Sequence, residues 1–246
     1  VNVAGQTDMG RSSMVAALCH YIDSRKSTLL FDNIYFVKGM LKRTTLGQSS
    51  PIISLHNQLV LAGRAHDISE DADLDEVIKE VLVSLKQTKS LLVFDKIETL
   101  DGATAQDFHF FLGQIFERTE NVHVLVTSNE SIGLKSLLGV GESVYNLGPL
   151  NFRNTVKLFA FHCPHLHSPR ERKDIVEQIA PHHHNRLAED DEVSVKIKSI
   201  LGGGIPAKTF AVAYEMTSDE FLEFKRIAYG KGSLMNKNNK PTEQAE

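Results

Sequence analysis

The sequence predicts an α/β protein: a parallel sheet covered by helices on both faces, followed by a small all-helical domain. Three observations carry this. Short β-branched and aromatic runs alternate with segments whose apolar residues recur every three or four positions. The runs are apolar almost without interruption, as strands buried on both faces must be. After Gly148-Pro149 no further strand-like run appears, and helical spacing continues to about residue 230.

In chain order, residues 1–4 read as a short apolar strand, and residues 11–23 as a helix with Met14, Val15, Leu18, Tyr21 and Ile22 at helical spacing. Residues 31–37, rich in aromatic and β-branched side chains, predict the second strand. Residues 49–62 and 74–86 predict helices. Residues 90–95 form a buried strand that ends in Asp95, and residues 103–118 a helix with Phe108, Phe111, Leu112, Ile115 and Phe116 inward. Residues 121–127 and 143–147 supply two more strands. In the second half, helices are expected over 151–162, from Ser168-Pro169-Arg170-Glu171 onward, over 189–201 and 207–216, and briefly over 221–229. Ser168 to Glu171 is helix-start grammar: N-cap, Pro in the first turn, capping-box Glu. The boundaries that follow are 1–150 for the α/β core and 151–230 for the helical part. Residues 231–246 are polar and predict a disordered tail.

The chain has 246 residues, 41% hydrophobic and 24% charged, which suits a soluble globular protein with a full core. A net charge of −4 gives no reason to expect broad binding to nucleic acid or membrane surfaces. No apolar run approaches the ~20 residues that span a bilayer. Cys19 and Cys163 lie far apart in apolar helical contexts, which reads as two buried thiols in a reducing, cytoplasmic compartment. The chain opens inside a strand, with no Met and no leader, which suggests a fragment of a longer protein.

The residues Gly5-Gln6-Thr7-Asp8-Met9-Gly10-Arg11-Ser12 fit GxxxxGK[ST] at every defined position except one: Arg11 stands where the pattern has Lys. With a strand before it and a helix directly after, such a turn holds phosphates on its backbone N–H groups and on the helix N-terminus. Leu91-Leu92-Val93-Phe94-Asp95 then places a carboxylate at a strand end, where a Mg²⁺-orienting acid is needed. Taken alone it is a buried strand that happens to end in Asp. Thr127-Ser128-Asn129 closes the next strand, and Gly203-Gly204-Ile205-Pro206 separates two helices. In isolation these are strand-ending turn residues and a helix stop followed by a helix start.

Together, in this order, the pieces resemble the nucleotide-binding core of STAND-class signalling ATPases, the NB-ARC type of plant resistance proteins, apoptosome proteins and bacterial regulators. The resemblance covers nearly the whole chain. Residues 5–12 correspond to the family's phosphate loop, 31–37 to its Phe-containing second strand, and 91–96 to its "LLVLDD" strand. Thr127-Ser128-Asn129 corresponds to "TSR", Pro149-Leu150 with Leu158-Phe159 to "PL…LF", and Gly204-Ile205-Pro206-Ala207 to "GLPL". The resemblance implies a five-stranded parallel P-loop NTPase sheet in the order 5-1-4-3-2. It implies ADP or ATP with Mg²⁺ as cofactor, bound between the α/β core and the helical domain. The nucleotide-binding residues would be Gly5, Gln6, Thr7, Asp8, Met9, Gly10, Arg11, Ser12, Ser13, Thr127, Ser128 and Asn129, with Pro206 against the adenine. Ser12 and Asp95 would serve Mg²⁺. Other domains of a longer chain, and a homo-oligomer formed on activation, are the implied partners.

The departures from the family fall on the chemical positions. Arg11 keeps the loop's charge, but its planar fork on a longer arm is not equivalent to Lys. Asp8 puts a carboxylate into a loop meant for anions. Lys96 replaces the acid or amide that follows the Mg²⁺ Asp, and an ammonium cannot position or deprotonate a water. Glu98 could take that role only if the loop brings it round. Asn129 replaces a cation at the γ-phosphate end. With Arg11, Asp95 and Glu98 as the candidate catalytic residues, hydrolysis is expected to be slow or absent and nucleotide affinity weak. The alternatives are a nucleotide-free pseudo-NTPase that serves as an interaction platform, and a working P-loop ATPase of another class, such as AAA+. His162, Cys163, His165 and His167, with His182-His183-His184, invite a zinc site. They lack a CxxC or HxxxH frame, so no zinc is expected. The acidic run 189–192 reads as a helix first turn.

Overall fold

The computed structural model describes residues 1–25, 31–38, 41–42, 49–69, 71–100, 102–133, 141–181 and 192–235. The chain divides into two compact units, one of Val1–Thr7 and Arg11–Leu147, the other of Asp8–Gly10 and Gly148–Glu246.

The first unit is built on a five-stranded parallel sheet, β2-β5-β6-β1-β7. Its strands are β1 (Asn2–Ala4), β2 (Asn33–Lys38), β5 (Ser90–Asp95), β6 (Val122–Ser128) and β7 (Val144–Asn146). Counting only these strands, the order read from the far edge is 5-1-4-3-2, as the resemblance implies. Every residue of β5 is buried, so its alternating side chains serve two cores. Leu92 and Phe94 face one core, with Tyr35, Val37, Val124 and Val126. The helices α2 (Pro51–Leu61), α3 (Leu74–Leu85) and α4 (Gly102–Arg118) cover that side, and the Phe94 ring meets Phe108 edge-on at 5.0 Å. Leu91 and Val93 face the other core, with Val3, Leu125 and, from α1 (Arg11–Asp23), Val15 and Cys19. Burial pushes the Cys19 thiol up, away from the reactive thiolate.

Three details differ from the sequence expectation. The buried face of α1 is Arg11, Val15 and Cys19, whereas Met14, Leu18 and Tyr21 are 38%, 40% and 53% exposed. The helix is oriented by the loop that starts it, and apolar residues run round so much of its circumference that periodicity could not choose the face. A two-residue antiparallel ladder joins β3 (Leu41–Lys42) to β4 (Ser49–Ser50), where the sequence suggested that a helix begins at residue 49. Ser50 instead caps α2: its Oγ accepts from the Ile52 N–H at 3.2 Å, and Pro51 fills the first helical position. In the second unit, α9 (Ser218–Met235) is a long helix, not the short one expected over 221–229. It extends five residues into the tail read as disordered, because adding residues to a formed helix costs little compared with nucleating one.

The second unit otherwise comprises α5 (Phe152–His162), α6 (Pro169–Ile179), α7 (Glu192–Ile200) and α8 (Pro206–Glu215). Phe152, Phe159, Ile175, Ile197, Leu201 and Phe224 form its core. Ser168 and Glu171 make the capping box at the start of α6. The glycine run is required by the backbone: Gly202, Gly203 and Gly204 all have positive φ, and a Cβ on Gly204 would lie 2.6 Å from the Leu150 carbonyl oxygen. The acidic residues 189–191, His182 to His184 and the tail from residue 236 lie outside the described residues.

Candidate functional site

The loop after β1 combines three local devices. Gly5 packs so closely that a Cβ would come 2.8 Å from the Leu147 carbonyl oxygen, and its N–H donates to Ser128 O at 3.2 Å. Asp8 and Gly10 take left-handed backbone angles, φ 70° and 82°. Asp is among the few non-glycine residues that do so readily. Helix α1 then starts at Arg11, leaving its first N–H groups without intrahelical acceptors. Gln6, Thr7 and Asp8 are exposed and Met9 is buried. Such a turn, ending at a helix N-terminus, suits an anion.

Ser12 and Asp95 meet at the end of β5. The Ser12 hydroxyl donates to Asp95 Oδ1 at 2.8 Å, and the Thr127 hydroxyl donates to the same oxygen at 2.6 Å. Thr127 in turn accepts from the Lys96 N–H at 2.7 Å. Parallel pairing of β5 with β6 and of β6 with β1 sets the strand ends that carry these residues side by side. Asp95 Oδ2 is buried and has no hydrogen-bond partner among the described residues. The Ser12 hydroxyl and the Asp95 carboxylate, with its second oxygen unused, are hard oxygen donors that suit Mg²⁺. A cleft of about 490 Å³ opens here, lined by Ser12, Ser13, His20, Asp23, Phe36 and Asp95 among others.

Arg11 points elsewhere. Its Nη2 lies 2.6 Å from Glu98 Oε1, with the two side chains only 6% and 19% exposed. The turn that achieves this is local: Lys96 adopts a left-handed conformation, φ 62° and ψ 51°, and residues Ile97–Thr99 make one 3₁₀ turn. The loop thus does bring Glu98 round, but to the arginine. Arg11 Nη1 and Glu98 Oε2 are buried and without partners among the described residues.

The remaining candidates are spread more widely. Ser128 is buried, and its hydroxyl donates to Asn2 Oδ1 at 2.9 Å and also to the Glu130 carbonyl. Asn2, a polar residue inside the first strand that sequence reasoning passed over, also donates to Glu142 Oε1 at 2.9 Å. Its signal was visible: an amide in an otherwise apolar strand needs partners. Asn129 is exposed at the end of β6. Pro206 opens α8 in the second unit. Two histidines of that unit, His162 and His165, are engaged in packing. His162 lies edge-on between Phe161 and Phe210, and His165 stacks on Phe221 and bonds the Met216 carbonyl at 2.7 Å. Among the described residues, no three His, Cys, Asp or Glu side chains cluster as metal ligands.

A phosphate loop directly after the first strand, in a parallel sheet of order 5-1-4-3-2, decides the fold. It is that of a P-loop NTPase. No protein-family model matches the chain, and no curated protein matches it. Among solved structures it is similar to Cdc6p from Pyrobaculum aerophilum, at 10% identity over 94% of this chain and 79% of that one, TM-score 0.46. It is similar to PCH-2 of C. elegans, at 16% identity over 97% of this chain and 61% of that one, TM-score 0.47. A signal-transduction ATPase with numerous domains (STAND) and a tetratricopeptide-repeat sensor, from Pyrococcus horikoshii, aligns at 14% identity over 98% of this chain, TM-score 0.40. The chain spans 61% and 43% of the lengths of the last two. Among the described residues no helix is long and apolar enough to cross a membrane.

Proposed function

We propose that the chain is the ADP/ATP-binding switch module of a STAND-class, NB-ARC-like signalling protein, with slow or absent hydrolysis. The observation that carries this is the division of labour at the loop: Ser12 and Thr127 converge on Asp95, while Arg11 is committed to Glu98. The loop's backbone N–H groups would hold the phosphates. Ser12 and Asp95 would hold Mg²⁺, which when bound neutralises phosphate charge.

The hydrolytic parts are the ones altered. Lys96 cannot act as a base, Glu98 is occupied by a guanidinium, and Asn129 brings no cation. Phosphoryl transfer depends on positioned charge, so these losses weigh on turnover more than on binding. In a longer protein the nucleotide state would pass to neighbouring domains, with a homo-oligomer as the activated form and the cytoplasm as its place. Titration with labelled ADP and ATP, with and without Mg²⁺, tests the reading: submillimolar binding is expected, and no binding to either nucleotide sinks it.

The closed Arg11–Glu98 pair also favours a second reading, a nucleotide-free platform with the same fold. If affinity appears only after Arg11→Lys, that reading replaces the first. A working ATPase of another class would instead show steady Mg²⁺-dependent phosphate release that Asp95→Ala abolishes.

A further inference from the structure

We propose that Glu98 sets the nucleotide affinity of this loop by standing in for phosphate on Arg11. A carboxylate and a phosphate offer a guanidinium the same thing: anionic oxygens spaced to accept from its fork. Here the carboxylate comes from the chain itself. The Nη2 to Oε1 contact of 2.6 Å is short even for a charge-assisted bond, and the Arg11 side chain is 6% exposed. The pair is nevertheless incomplete. Arg11 Nη1 and Glu98 Oε2, the second arm of each fork, are buried without partners among the described residues. A full two-armed pair would satisfy both groups and resist any competitor. A one-armed pair leaves a donor that an incoming phosphate oxygen can take and an acceptor that gains by turning toward water.

Phosphate binding is therefore an exchange. As phosphate oxygens take up Arg11, Glu98 is displaced, because two anions cannot share one guanidinium at this distance without repulsion. Glu98 can move at modest cost, since it sits in a three-residue 3₁₀ turn and not in a strand. The affinity of the natural chain is then its intrinsic affinity reduced by the work of opening the pair. This differs from a role for Glu98 in positioning the attacking water, which would affect turnover and leave ADP binding unchanged.

The inference rests on the nucleotide-binding reading above, and the test separates the two. Labelled ADP, which the site cannot hydrolyse, is titrated into the full chain and into the Glu98→Gln, Glu98→Asp, Arg11→Met and Arg11→Met/Glu98→Gln variants. Circular dichroism verifies the fold of each. Coupled side chains in contact shift such equilibria measurably, so Glu98→Gln should tighten ADP by roughly tenfold, and by no more than about twofold once Arg11 is Met. Glu98→Asp keeps the charge but draws the oxygens back, so it too should tighten ADP, and it decides the matter if Arg11→Met does not fold. Equal ADP affinity in the natural chain, Glu98→Gln and Glu98→Asp overturns this inference alone. So does a gain of the same size with and without Arg11, which would be simple removal of negative charge. If no protein in the series binds ADP, the nucleotide-binding reading fails and this inference with it.

Discussion

Arg11 and Ser12 are adjacent in the chain, open the same helix, and end in opposite situations. Ser12 joins a small network in which two neutral hydroxyls donate to one oxygen of Asp95 and the other oxygen is left unused. Arg11 closes its charge on Glu98. Consecutive helical residues point about 100° apart, so each meets a different part of the β5 exit. Ser12 meets the strand's last residue, and Arg11 meets the turn that follows it. The half of the site that would hold a cation is prepared and open, while the half that would reach the phosphates is engaged by one arm with a carboxylate of its own chain.

The comparison can be broken from either side. The largest effect on stability is expected from Glu98→Met, which leaves the Arg11 guanidinium, 6% exposed, buried and unpaired. It should cost about 3 kcal/mol, read as a lower urea midpoint at unchanged slope. Asp95→Ala should come next, at about 1–3 kcal/mol, because the Thr127 and Ser12 hydroxyls lose their shared acceptor. It should also remove the Mg²⁺-dependent part of ATP affinity, measured by titration with and without EDTA. Thr127→Val removes one donor and the acceptor of the Lys96 N–H, and should cost about 1–2 kcal/mol in the same urea assay while Mg²⁺ dependence survives.

The smallest effect lies away from the site and serves as a reference. Glu80 accepts from the His66 N–H and from His66 Nδ1, both at 2.9 Å, and these bonds hold its carboxyl below the ordinary 4.5. A carboxylate whose pKa is depressed by folding stabilises the fold above its unfolded value. That contribution fades as the pH falls through the folded value. Glu80→Gln should therefore lower the thermal midpoint slightly near pH 7, with the difference from the natural chain shrinking as the pH falls below 4.5.

How much of this was legible in the sequence follows the distance over which each feature is encoded. The strands β5 and β6, the helix α4 with its inward phenylalanines, the Ser168–Glu171 capping box and the phosphate loop are local patterns, and each could be read where it stood. The resemblance to a family carried the sheet order. What stayed hidden depends on partners far apart in the chain. Arg11 finds Glu98 across 87 positions and Ser128 finds Asn2 across 126, whereas the meeting of Ser12 with Asp95 was implied by the resemblance. Composition and spacing say nothing about such pairings. The turn that brings Glu98 round depends on a left-handed Lys96, a conformation that lysine does not advertise. The face of α1 was obscured for a related reason: Met14, Leu18 and Tyr21 look like core residues, and only the loop geometry turns them outward.

The central claim, that this loop holds a nucleotide without cleaving it, is tested most directly by one measurement. The protein is dialysed to equilibrium against Mg²⁺ and ATP, and the nucleotide on both sides is quantified and identified after several hours. The account predicts an excess of nucleotide on the protein side, recovered mainly as ATP. Conversion of the pool to ADP at many turnovers per protein, or no excess on the protein side, would contradict it.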